Sequence, residues 1–175
     1  PNYIRPTIEG ASWFFTVNLR DRSSRLLTEN ILGLRSATRK CQVRFPFSID
    51  AFVVLPDHIH AVWTLPFGDT GISVRWRLIK SHFSKSVADV EPVSASRSAR
   101  KERGIWQRRF WDHAIRDEAD FWRHVDYCYI NPVKHGHVKR VADWPYSSFH
   151  RDVRAGLFPC DWAGDSDDGS GFGER

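Results

Sequence analysis

The chain of 175 residues has no methionine and only three cysteines, Cys41, Cys128 and Cys160. The cysteines are odd in number, far apart, and include no CxxC pair. That excludes a zinc ribbon, a thioredoxin-type redox site and a disulfide scaffold. It fits free thiols in a reducing compartment. No apolar run approaches the roughly 20 residues that a membrane-spanning helix requires. The opening residues, Pro1 to Pro6, carry no apolar signal-type stretch. The expectation is a cytoplasmic protein with no membrane partner. Hydrophobic residues at 41% and charged residues at 27% exclude a wholly disordered or collagen-like chain. Aromatic rings are abundant, with 8 Trp and 12 Phe, which suggests an interaction surface in addition to a core. The net charge of +5 permits an anionic partner.

Hydrophobic periodicity orders the chain as β-α-β-β-α-β-α. Residues 11–20 read as a strand with Trp13, Phe15, Val17 and Leu19 on one face. Thr28 is placed as the N-cap of a helix running to about Val43. Strands over 47–55 and 58–65 form a hairpin around Pro56-Asp57, and 71–87 forms a second helix with Val74, Leu78, Ile79 and Phe83 inward. Residues 89–104 read as a mobile loop and 106–116 as a fourth strand. Residues 117–130 read as a third helix, ended by Pro132 and Gly136. The first six elements define a ferredoxin-like split βαβ sandwich of α+β class, an antiparallel sheet with helices on one face. Residues 1–160 are taken as one domain and 161–175 as an acidic, glycine-rich tail, loosely held.

Two segments carry candidate chemistry. In Leu55-Pro56-Asp57-His58-Ile59-His60, the two histidines are two apart on a strand, so both imidazoles leave the same face. That suits two nitrogen ligands on one ion. In Asp126-Tyr127-Cys128-Tyr129-Ile130-Asn131-Pro132, Tyr127 and Asn131 are four apart on a helix and share a side, while Tyr129 points to the core. Pro132 makes that alignment approximate. Taken alone, an HxH pair reads more readily as packing than as a metal site. A helix ended by Asn-Pro reads more readily as ordinary structure.

Together the segments resemble a known family. DHIH after a ββ turn, with a YxxxN-P helix, is similar to the HUH single-strand nucleases with one catalytic tyrosine, and within them to the REP-associated tyrosine transposases. The likeness extends through Gly10 to Leu19, Ile105-Trp106-Gln107, Arg109-Phe110-Trp111, Tyr129 to Gly136, and Asp143-Trp144-Pro145-Tyr146. The resemblance implies a divalent metal, Mg²⁺ or Mn²⁺, on His58, His60 and Asn131. It implies Tyr127 as the nucleophile on a DNA phosphate, leaving a 5′-phosphotyrosine and a free 3′-OH. It implies single-stranded or hairpin REP-like DNA as partner, with a monomer expected and a dimer left open. The alternatives are a non-catalytic hairpin-binding protein on the same scaffold and an unrelated zinc hydrolase. His124 is a candidate base, and His135 and His137 are read as phosphate or solvent contacts.

Between Arg75 and Arg116, eleven basic residues face four acidic ones, a local balance of +7. Trp76, Trp106 and Trp111 are interleaved with them. Cations for phosphates and flat rings for unpaired bases are the two parts of a single-strand site. Arg75, Arg77, Lys80, Arg103, Arg108 and Arg109, with Lys134 beyond the helix, are the candidate DNA contacts.

Overall fold

A computed structural model of the chain describes residues 8–88 and 104–164. The mobile loop expected at 89–104 therefore lies almost wholly outside the described residues, as does most of the acidic tail.

Four strands, β1 (Ser12–Asn18), β2 (Ser48–Val54), β3 (His58–Thr64) and β4 (Trp111–Ala114), form one sheet in the order β2-β3-β1-β4. Every neighbouring pair is antiparallel. This is the split βαβ order, with β3 inserted between the strands joined by the first crossover. The helices are α1 (Leu26–Glu29), α2 (Ile31–Arg44), α3 (Ile72–Ala88), α4 (Glu118–Lys134) and α5 (Phe149–Arg154), with a 3₁₀ turn at Val141–Asp143.

The two crossover helices, α2 and α3, cover one face, as the split βαβ reading requires. There Trp13, Phe15, Val17, Ile59, Ala61 and Trp63 meet Leu34, Ala37, Cys41, Trp76, Ile79 and Phe83. Trp63 and Trp76 stack with centroids 4.3 Å apart. The later helix α4 adds a layer on the opposite face, where Val125, Cys128 and Tyr129 pack with Phe14, Ala51, Val53 and Val62. A sheet covered on both sides explains why β1 is buried at nearly every position rather than at alternate ones.

Several local expectations are corrected. Thr28 does not cap a helix: it sits inside α1, and its hydroxyl donates to the carbonyl of Arg25. The helix that follows starts at Ile31. Ile72 and Trp76 face the core of α3, with Val74 and Leu78 only partly buried. The fourth strand shrinks to four residues. Trp106 joins the sheet only by an isolated bridge to Leu19 and is buried against Phe83. Helix α4 does not stop before Pro132 but runs to Lys134. A proline near the end of a helix forfeits one backbone bond and can otherwise adopt helical φ. Gly136, at φ +71°, closes the helix, with Gly136 N–H donating to Val133 and His137 N–H to Pro132.

The segment after α4 returns to the sheet edge. Val54 N–H donates to Tyr146, Ser148 N–H to Phe52, and the Trp144 indole to Val54. These contacts cover the outer strand β2. No helix among the described residues is long and apolar enough to cross a membrane.

Candidate active site

Antiparallel register decides which side chains meet. Asn18 lies opposite His58, and Thr16 opposite His60. Paired residues on neighbouring strands project from the same face, so all four point toward α4. His58 and His60 are buried, with ring centroids 4.8 Å apart and planes nearly perpendicular. Each ring is held from behind. His58 Nδ1 donates to the Asp57 carboxylate at 2.8 Å, and Asp57 is braced in turn by Arg22 at 2.6 Å. His60 Nδ1 is 3.0 Å from the Thr16 hydroxyl. Burial pushes the Asp57 carboxyl up. The His58 hydrogen bond and the Arg22 guanidinium together outweigh it and hold the group below the usual carboxylate range. An ionised Asp57 fixes the His58 tautomer with its proton on Nδ1, leaving Nε2 as a lone pair directed into the site.

Because α4 continues past Pro132, Tyr127 and Asn131 keep helical i,i+4 spacing. Both are buried on the side of α4 that meets these histidines. The Tyr127 ring lies 5.2 Å from His60 and 6.0 Å from Phe14. The Lys134 ammonium stands 4.8 Å over the Tyr127 ring. His135, read from sequence as a solvent or phosphate contact, reaches within 5.2 Å of His58, while His137 stacks on Trp144.

Tyr129, two residues on, has a different environment. Its hydroxyl donates to Asp152 and lies 3.1 Å from the Ser148 hydroxyl. Burial, then the Asp152 hydrogen bond, pushes its phenol far above the ordinary range. It belongs to the core.

The donor set fits a divalent cation. His58 Nε2 is a buried acceptor with no hydrogen bond among the described residues. Leaving such an atom unsatisfied costs about 1–3 kcal/mol, which an ion would offset. Two imidazole nitrogens backed by Asp57 and Thr16, with the buried amide of Asn131 one turn beyond Tyr127 as a candidate oxygen donor, would form a neutral mixed N/O set. Such a set suits Mn²⁺ or Mg²⁺. Asn18 Oδ1 is also buried without a hydrogen bond on this face, a further oxygen the sequence reading passed over. Its signal was present in the register, since Asn18 sits on the polar face of β1.

A second His/Asp group was also missed. His113 on β4, with Asp120 and His124 on α4, places three ligand-type atoms within 4.8 Å, a candidate metal-binding group. Several of its atoms are already engaged, while Asp120 Oδ1 is buried with no hydrogen bond among the described residues. His113 Nε2 is 2.8 Å from Asp120 Oδ2, and His124 Nδ1 donates to the Asp120 carbonyl at 2.7 Å. The two rings stack at 4.6 Å. Burial drives the His124 pKa down to about 4. Burial raises Asp120, but the His113 bond, the Arg116 amide and the neighbouring histidine charges bring it to about 2. His124 thus serves this cluster, with the Phe14 ring packed 4.9 Å from its own.

The expected DNA contacts divide. Arg75 is corrected: it is fully buried, and its five donors go to Asp69, Gly71, Phe45 and Pro46. None remains for a phosphate. Trp76 and Trp106 are core residues. Lys80 donates to the Gln107 carbonyl and sits over the Trp106 and Phe110 rings. Arg77 is exposed on α3, across the sheet from Tyr127. Arg108 and Arg109 are exposed just before β4, and Lys134 is at the site itself. Arg103 lies outside the described residues.

The chain is 53% identical over 173 residues to a REP-associated tyrosine transposase of Escherichia coli K12, covering 99% of this chain and 96% of that one. A Haemophilus influenzae relative, provisionally given the same name, is 45% identical over 167 residues, 95% of each chain. Among solved structures, a REP-associated tyrosine transposase bound to a REP hairpin superposes with a TM-score of 0.89 at 52% identity, covering 100% of this chain and 98% of that one. No family model matches.

Proposed function

The chain belongs to the REP-associated tyrosine transposases, and from that premise we propose that it is a metal-dependent endonuclease and strand transferase acting on single-stranded or hairpin REP-like DNA. The observation that supports this reading is Tyr127 packed against His60, itself beside His58, with Asn131 buried one turn further along the same helix, while Tyr129 is committed to Asp152.

In this reading His58, His60 and Asn131 would hold a divalent ion, whose positive charge would offset the charge that develops on the non-bridging oxygens of the scissile phosphate. Neutral ligands leave that charge undiminished. The remaining steps belong to the chain and the DNA. Tyr127 Oη forms a bond to phosphorus in line with the departing O3′. The P–O3′ bond breaks, the phenolic proton goes to solvent, and the 3′ oxygen leaves with a proton. The product is a 5′-phosphotyrosine and a free 3′-OH. Attack by another 3′-OH reverses the step and joins strands. Asp57 and Thr16 hold the imidazoles in orientation, and the packing of Tyr127 against His60 and Phe14 limits the angles its hydroxyl can adopt. Lys134 over the Tyr127 ring is placed to meet a phosphate oxygen. Action on chromosomal hairpins would put the protein at the nucleoid.

The test is incubation with labelled hairpins bearing single-stranded flanks, with Mn²⁺, followed by denaturing electrophoresis. Wild type and Tyr129→Phe form a covalent protein–DNA adduct, and Tyr127→Phe forms none while still shifting the hairpin on a native gel. An adduct with Tyr127→Phe overturns the nucleophile. No wild-type adduct, with the hairpin still bound, favours a binding protein without cleavage.

A further inference from the structure

Strand β1 turns Phe14, Thr16 and Asn18 toward α4. Phe14 packs on the His60 and Tyr127 rings, and Thr16 meets His60 Nδ1 at 3.0 Å. Asn18 is half-buried, but its Oδ1 is fully buried and makes no hydrogen bond among the described residues. The residue opposite it shows the same lack. His58 is 2% exposed, its Nδ1 is committed to Asp57 at 2.8 Å, and its Nε2 is buried without a hydrogen bond.

The register brings these two side chains together. Leu19 N–H donates to the carbonyl of Asp57 opposite it. The next pair along, Asn18 and His58, is therefore of the non-hydrogen-bonded kind, whose side chains stand closer than those of its neighbours. Thr16 and His60 form the next pair of that kind, and there the side chains do touch. The backbone under Asn18 is held from its other side as well. Its carbonyl accepts from Gln107 N–H at 2.9 Å, and Arg20 N–H donates to Ile105.

Asn18 Oδ1 and the lone pair of His58 Nε2 are both acceptors, so neither satisfies the other. Each left bare costs about 1–3 kcal/mol. Support behind the rings is already complete, with Asp57 on His58 and Thr16 on His60. A cation shared by the two atoms satisfies both, and an amide oxygen beside an imidazole nitrogen is a donor pair that Mn²⁺ accepts.

We infer that Asn18 Oδ1 is a direct ligand of the divalent ion, supplied by β1 beside the nitrogens of β3. The inference rests on the reading that His58 and His60 hold that ion. An uncharged oxygen tightens the hold on the ion and leaves its charge whole.

The test is calorimetric titration of Mn²⁺ into the full chain without DNA. Asn18→Ala binds about 100-fold more weakly, the upper end of what loss of an outer-shell partner costs, because a ligand itself is removed. Asn18→Asp keeps an oxygen, adds a charge and binds more tightly than wild type. Asn18→Cys, loaded with Co²⁺, shows a thiolate-to-metal charge-transfer band that wild type lacks, a signature that packing alone does not produce. Wild-type affinity in Asn18→Ala overturns the inference. So does an equal loss in Asn18→Ala and Asn18→Asp, or Co²⁺ bound to Asn18→Cys without the band. Should Asn18→Ala fail to fold, as urea denaturation would show, the Asp and Cys variants decide. His58→Ala separates the two readings. Unchanged Mn²⁺ affinity there removes the ion from these histidines, and the inference falls with it. Lost affinity in His58→Ala beside wild-type affinity in Asn18→Ala removes Asn18 alone.

Discussion

At the scale of single residues, the site shows how much strand alternation reveals and where charge counting misleads. His58 and His60 were legible because a two-residue period on a strand leaves no choice of face. Asp57 stood beside them in the sequence, yet only the fold shows it supporting an imidazole. Asp57→Asn removes the carboxylate that fixes the His58 tautomer, and Mn²⁺ affinity measured by calorimetry is expected to fall 10- to 100-fold, in the usual range for lost support behind a metal ligand. Unchanged affinity would remove Asp57 from the site. Arg75 is the converse case. It was counted with the DNA-facing cations because composition records charge but not direction. The helix turns it inward, where it ties α3 to the Asp69 turn and to two carbonyls ahead of β2. Arg75→Met leaves Asp69 without its partner and those carbonyls without donors. The expected loss is about 3 kcal/mol or more in urea denaturation. The folded fraction should still bind hairpin DNA at wild-type affinity, whereas Arg108→Ala, if that exposed side chain meets a phosphate, lowers affinity and the salt slope together.

At the scale of elements, the strands and crossover helices followed their hydrophobic periods closely, and the errors gathered at ends. Caps and termini depend on hydrogen bonds to particular carbonyls, which periodicity does not encode. Thr28 has the right side chain for a cap but spends its hydroxyl on Arg25. Pro132 has the right chemistry for a stop, yet the tertiary packing of Asn131 and Pro132 holds the last turn helical. The actual stop is Gly136, whose positive φ lets two amides turn back onto the final carbonyls. Gly136→Ala meets no atom within 4 Å of its new Cβ, so the cost is purely conformational, about 1–2 kcal/mol. Thermal melting should show that loss. Adduct yield should fall further than stability alone requires, because Lys134 and His135 are placed by this last turn. A drop in melting temperature with full adduct yield would show that the site tolerates a frayed helix end.

At the scale of the whole molecule, a sheet with a core on each face has its candidate functional groups at the boundary between β1–β3 and α4. The same boundary buries ionisable side chains. The split βαβ order could be read from the sequence because each element has its own period. The second layer was harder to foresee, since α4 follows the motif rather than completing it. The histidine–aspartate clasp between β4 and α4 was invisible for the same reason: His113 and Asp120 belong to different elements and meet only when α4 docks. That clasp sets a pH dependence for the fold. His124 has a folded-state pKa of about 4 against an ordinary 6.5, because burial disfavours its cation. The native state therefore keeps it neutral while the unfolded chain takes up a proton as pH falls through 6.5, and stability declines until about pH 4. The shift corresponds to about 3 kcal/mol over that window. Asp120, brought to about 2, adds a loss of the same sign only below the ordinary carboxylate value, as pH falls from about 3.8 toward 2. Urea midpoints measured at several pH values between 7.5 and 4.5 should fall with acidity. His124→Leu should start from lower stability at pH 7.5, having lost its bond to Asp120, but decline less steeply below 6.5. Parallel slopes for the two proteins would mean that other groups, not His124, carry the acid sensitivity of the α4 interface.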